Sequence, residues 1–163
     1  RAGRDAPPSL TAPTPAVGIV SIQIAGADGG GMCPGAPAEV IVRLAAERNV
    51  DDVMCILEIG RGDTLPLATI EGPTVRCPVG ETVVVCRVGC LALEAGRYDL
   101  RVRLFSVSAG RRADGEKCVK SAVFRLRRQD SGRASARGRG GVVHLPSEWR
   151  VETGAVPPGN DAD

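Results

Sequence analysis

The sequence predicts an all-β fold, an immunoglobulin-like antiparallel β-sandwich of about eight strands, and three observations carry that expectation. Seven short apolar runs between residues 17 and 127 are separated by turns rich in Gly, Pro and Asp, the spacing of a sandwich. In the clearest run, RYDLRVRLFSV at 97–107, Tyr98, Leu100, Val102 and Leu104 alternate with Asp99, Arg101, Arg103 and Phe105. A period of two sends one set into a core and the other outward. Finally, 21 Gly and 12 Pro among 163 residues leave little room for long helices.

The elements follow in chain order. Residues 1–16, RAGRDAPPSLTAPTPA, have no periodic pattern and read as a linker arriving from an upstream domain. The sandwich is expected over 17–128. Its first run, VGIVSIQI at 17–24, is stopped by Gly26, Asp28 and three glycines. AEVIVRLAA at 38–46 alternates Val40, Val42 and Leu44 against Ile41 and Arg43, and DVMCILEI at 52–59 sets Val53, Cys55, Leu57 and Ile59 on one side. Gly60–Asp63 turns the chain into TLPLATI at 64–70, where Pro66 points to a sheet edge. ETVVVCRV at 81–88 has four successive apolar residues, the pattern of burial on both faces. The run at 97–107 is followed by KCVKSAVFRLR at 117–127. Residues 129–140 then form a flexible Arg/Gly linker, 141–151 a terminal strand, and 152–163 a polar tail. A lone strand is unstable, so this last one needs a sheet to join.

Composition excludes several classes of function. Twenty-one basic and 19 acidic residues give a net charge of +2, too balanced for a dedicated DNA-binding domain. The four aromatics, Tyr98, Phe105, Phe124 and Trp149, are too few for single-strand nucleic-acid binding by base stacking or for an aromatic-lined cofactor pocket. No nucleic-acid partner and no cofactor are therefore expected. No run approaches the length of a membrane span. Six cysteines stand at 33, 55, 77, 86, 90 and 118. Their even number permits a disulfide framework, but their density is below that of small stapled domains. Cys55 and Cys86 lie inside apolar runs, where a thiol serves as a small hydrophobe. The Cys86/Cys90 pair has no second pair at metal-site spacing. Reduced structural thiols in a cytoplasmic protein are the preferred reading, ahead of disulfides and of metal.

No catalytic constellation stands out, and the chain is expected not to be an enzyme. His144 is the single histidine, and the two lysines, Lys117 and Lys120, belong to a strand rather than a phosphate loop. Arg61-Gly62-Asp63 spells an integrin tripeptide but reads first as a glycine-flanked turn. The outward arginines Arg101 and Arg103, with Arg43 and Arg87, suggest a basic strip on one face. That strip is either a solvated surface or a site for an anionic or hydroxyl-rich ligand, which the guanidinium fork suits. Trp149 is a core plug or a sugar-stacking ring. The candidate ligand-binding residues are Arg43, Arg101, Arg103 and Trp149.

Four stretches carry a resemblance to a known family: CPGAPAEVIVRLAA, DDVMCILEIGRGDTLPLATIEG, CLALEAGRYDLRVRLFSV and GGVVHLPSEWRV. The third matches an L-x-L-x-x-G-x-Y-x-L-x-V corner through Leu91, Leu93, Gly96, Tyr98, Leu100 and Val102. In order and spacing they resemble the C-terminal domain of the ATPase subunit of O-antigen polysaccharide ABC exporters, the Wzt type. The resemblance implies a carbohydrate-binding module behind an ATP-binding domain, at the cytoplasmic face of the inner membrane. Its partners would be a bacterial surface polysaccharide, a membrane permease reached through the ATPase domain, and a second copy in a homodimer that exchanges the terminal strand. A secreted, disulfide-bonded immunoglobulin-like adhesion module is the alternative from a different class, and a module that only dimerises is a third.

Overall fold

Eight strands form in the computed structural model, which describes residues 16–62, 65–108, 111–128 and 144–154, with the backbone alone for 108 and 111–118. They are β1 (Val17–Gly26), β2 (Ala38–Ala46), β3 (Val50–Gly60), β4 (Ala68–Cys77), β5 (Gly80–Val88), β6 (Gly96–Ser108), β7 (Arg111–Leu126) and β8 (Ser147–Thr153). Two antiparallel four-stranded sheets result, one ordered β1-β2-β5-β8 and the other β4-β3-β6-β7. The expected β-sandwich is therefore present. Among the described residues no helix is long and apolar enough to cross a membrane.

Alternation decides which atoms meet between the sheets. From one side Val40, Val42, Leu44, Val84 and Cys86 point inward, and from the other Val53, Leu57, Ile59, Leu100, Val102 and Leu104, none more than 1 % exposed. Each such side chain contributes ~1.5–3 kcal/mol on leaving water, which makes this layer the main source of stability. β5 lies between β2 and β8, and Val85 on its outer side is only 5 % exposed, in keeping with its unbroken apolar run. Tyr98, near the start of β6, is buried, its hydroxyl donating to the Glu94 carbonyl at 2.8 Å and its ring stacking on Phe124 at 5.5 Å.

Cys33, Cys55, Cys77, Cys86 and Cys90 carry free thiols, three of them buried in the core. Burial, reinforced by the neighbouring Cys86 and Cys77, pushes the Cys55 thiol up to about 12, and burial does the same to Cys86 against an opposing hydrogen bond from Ser147. These thiols stay protonated and serve as packing. The Cys118 side chain lies outside the description.

Three strands differ from the sequence expectation, and one of them, β7, begins at Arg111 rather than at Lys117. The run expected at 64–70 instead begins at Ala68 and continues to Cys77, through a Gly72-Pro73 pair that looks like a stop signal. Ile56 pairs with Glu71 and Met54 with Thr74, so Gly72 and Pro73 together oppose Cys55 alone in a β-bulge. β4 is an edge strand, where a missing proline N–H does no harm to the ladder. The terminal segment also starts later than expected. Pro146 precedes the strand, and Ser147–Thr153 pair with Val88–Thr82 of β5. Leu145 is buried at 3 %, whereas Val142 and Val143 lie outside the described residues.

Candidate functional site

The outer face of the β4-β3-β6-β7 sheet holds a cleft of about 310 Å³. Register builds its floor: Glu58 of β3 pairs with Arg101 of β6, which pairs with Ser121 of β7, and one step along Gly60 pairs with Asp99. Partners in a ladder project to the same face, so two carboxylates, a guanidinium and a hydroxyl are brought together. Gly62 and Pro66, in the turn between β3 and β4, lean over this floor as a wall.

That wall is held at two points. The Gly62 amide donates to Asp99 Oδ2 at 2.7 Å. Arg61 turns inward, donating from Nη2 to the Tyr98 hydroxyl at 2.7 Å with its guanidinium carbon 4.7 Å from the ring centroid. Gly62 itself takes φ 63°, a left-handed conformation that glycine adopts without strain. The arginine of the Arg-Gly-Asp tripeptide is thus committed to the protein's own Tyr98, and Asp63 lies outside the description.

The candidate arginines do not share a surface. Arg43 lies on β2, in the opposite sheet, where it is ion-paired with Glu81; Arg87 lies on β5 of that same sheet. The strip envisaged from the sequence is therefore divided. Outward residues of the two layers of a sandwich project in opposite directions, so no ligand bound on one face reaches the other. Arg103 shares the cleft's sheet but is engaged already, donating to Glu58 at 2.8 Å and lying 5.0 Å from the Phe105 ring centroid. Beneath it, Ile56 and Phe105 are 2 % and 8 % exposed although they belong to the outer face. Arg101 is exposed and makes no hydrogen bond or ion pair with the described residues, which leaves its donors to a ligand.

Trp149 is elsewhere again. On β8 it pairs with Cys86 of β5 and packs between the sheets, its ring atoms 3.1 and 3.2 Å from the place a Cβ on Gly72 would occupy. The bulge in β4 makes the space that this indole fills, and Gly72 keeps it open. Its indole Nε1 is buried without a hydrogen-bond partner among the described residues. His144 is exposed, and among the described residues no group of three or more His, Cys, Asp or Glu side chains is placed to hold a metal ion.

Three polar side chains of the cleft were not among the candidates: Glu58, Asp99 and Ser121. Asp99 was within reach, since it shares the outward register of Arg101. Glu58 sits between the inward Leu57 and Ile59, but its place beside Arg101 depends on pairing that a single strand does not reveal. The polar set alternates acceptors with donors over a small, preformed volume, at the lower end of the ~300–1,000 Å³ typical of ligand pockets. Such a set suits a small polyhydroxy unit.

No protein-family model and no curated protein matches the sequence. Among solved structures, the crystal structure of the C-terminal domain of Wzt aligns with a TM-score of 0.57 and 14 % identity, over 70 % of this chain and 75 % of that one. At that identity the likeness is one of fold.

Proposed function

We propose that this chain is a carbohydrate-binding module of an ABC exporter's ATP-binding subunit, recognising an O-antigen-like bacterial surface polysaccharide for export. The observation that carries the reading is the cleft over Glu58, Asp99, Arg101 and Ser121, on a sandwich whose fold is like that of the Wzt C-terminal domain. The motif resemblance through Leu91, Gly96, Tyr98 and Leu100 supplies the ligand class. The chain itself then binds and does not catalyse. In this reading ATP hydrolysis belongs to an upstream ATPase domain, a membrane permease is reached through that domain, and the module works at the cytoplasmic face of the inner membrane. Free thiols in the core favour this reading over a disulfide-held secreted module.

A panel of bacterial surface polysaccharides, screened against the purified chain, tests it. Binding by at least one polymer is expected, with an Arg101→Ala loss of ten- to a hundredfold, since a hydrogen bond from a charged donor contributes ~1.5–3 kcal/mol. Melting should hardly move, because the side chain is exposed. Binding that ignores this substitution would place the site elsewhere.

The same reading includes a homodimer in which β8 crosses to the partner's β5. Its support is that β8 is an edge strand, contributed by a separate segment and paired only with β5. Exchange of such a segment keeps every native contact and gives C2 symmetry. Light scattering should return twice the chain mass, falling when the chain is cut after Arg139. A monomeric mass for the intact chain would refute the exchange.

A further inference from the structure

We infer that the cleft selects a sugar unit bearing an apolar methyl substituent, of the 6-deoxyhexose class, an inference that rests on the carbohydrate reading above. Among the described residues six large hydrophobics are exposed, and three of them, Leu65 at 87 %, Val119 at 42 % and Val123 at 53 %, lie beside residues that line this cleft without being part of its lining. Leu65 adjoins Pro66 in the wall. Across the sheet, Val123 is the ladder partner of Asp99 and Val119 that of Arg103, so each lies diagonal to Arg101 on the same face. The valines are two residues either side of Ser121 on β7, and they form an aliphatic rim along the edge of a polar floor.

Single exposed valines are ordinary on protein surfaces, but a group of three about one polar cleft is a chemical pattern. The floor offers acceptors at Glu58 and Asp99, donors at Arg101 and both at Ser121, enough for two or three ring hydroxyls. Neutral hydroxyls merely exchange water for protein, so they orient a sugar more than they hold it. No aromatic ring is available here to cover the sugar's C–H surface: the one nearby, Phe105, is buried beneath Arg103. The aliphatic rim takes over that role. A methyl at C6 gains contact with a valine, whereas a hydroxymethyl in its place sets an O–H against an isopropyl group with nothing to bond. A cleft of about 310 Å³ suits one sugar unit, and not a helix or strand of another protein.

Matched pairs differing only at C6 make the test: L-rhamnose against L-mannose, and L-fucose against L-galactose, as methyl glycosides titrated into the full chain and followed by amide chemical shifts. The deoxy member of at least one pair should bind about fourfold tighter or better, the equivalent of one buried methyl group. The affected amides should include those of Ser121 and Val123, and Arg101→Ala should abolish the response. Val119→Thr/Val123→Thr, which keeps side-chain shape and strand propensity, should remove the preference while leaving the weaker hexose affinity in place. Equal affinities within both pairs, still dependent on Arg101, would overturn the methyl selection and leave the sugar site standing. A preference that survives the double Thr substitution would overturn it as well. A response that does not depend on Arg101 would place the sugar site elsewhere and overturn this inference alone, and no response to any of the four glycosides, together with no binding across the polysaccharide panel, would remove the carbohydrate reading as well.

Discussion

On the outer face of the β1-β2-β5-β8 sheet, charges answer one another. Arg43 pairs with Glu81, Arg150 with Glu152 at 2.9 Å, and Glu39, Arg87 and Glu148 occupy one cross-strand row. The opposite face also mixes acids and arginines, yet there Arg103 takes Glu58, one Asp99 oxygen is used by the Gly62 amide, and Arg101 is left over. Composition hardly separates the two. What separates them is the turn after β3: on the second face Arg61 and Gly62 are tied to Tyr98 and Asp99, and Gly62 and Pro66 line the cleft. A face on which opposite charges lie in cross-strand rows is a solvated surface. The same residue types beneath a fixed wall become a cleft with donors to spare.

Three substitutions probe this difference, the largest effect first. Trp149 joins β8 of the first sheet to the β4 bulge of the second, so Trp149→Ala should weaken the whole sandwich on which both faces rest. A loss of about 3 kcal/mol is expected in urea denaturation, at the low end for removing a large ring because the side chain is only partly buried. A loss below about 1 kcal/mol, the size of an exposed contact, would mean that the indole is not a plug.

Arg61→Ala should remove the wall's inner anchor and make the second face resemble the first. The lost hydrogen bond and guanidinium–ring contact together amount to about 1–2 kcal/mol of stability. Hydrogen exchange at the Gly62 amide should accelerate by more than the global destabilisation accounts for, because that amide depends on the turn staying against Asp99. Exchange that merely tracks global stability would show the turn to be held without Arg61.

The smallest effect belongs to Arg43→Ala. Its ion pair with Glu81 is about half exposed, side chains at 45 % and 49 %, and such pairs contribute ~0.2–1 kcal/mol. Melting should fall slightly, polysaccharide binding should be unchanged, and the difference from Arg101→Ala is the sharpest contrast between the faces. Comparable loss of binding from both would require a ligand that spans the two sheets.

Much of the sandwich was legible from local pattern. The alternation at 97–107 places Tyr98, Leu100, Val102 and Leu104 inside, and the run at 38–46 is β2 to the residue. These strands have one buried side, and a period of two states which. The reading went astray where a residue's usual meaning is reversed by its neighbours. Gly72-Pro73 signals a stop in isolation, but on an edge strand it becomes a bulge because an indole from the other sheet needs the room.

The sequence by itself determined that the fold is all-β, which side of each clear strand is buried, and that Arg43, Arg101 and Arg103 face outward. It could do so because side-chain direction along a strand is a local property of the backbone. Only the tertiary structure decided that Arg43 belongs to the opposite sheet, that Glu58 and Ser121 flank Arg101, and that Arg61 turns inward to Tyr98. Those facts depend on which strands are neighbours and on contacts between residues far apart in the chain. Outwardness is written in the period of a strand, but the company a residue keeps is set by pairing and by the way turns fold back over the sheet.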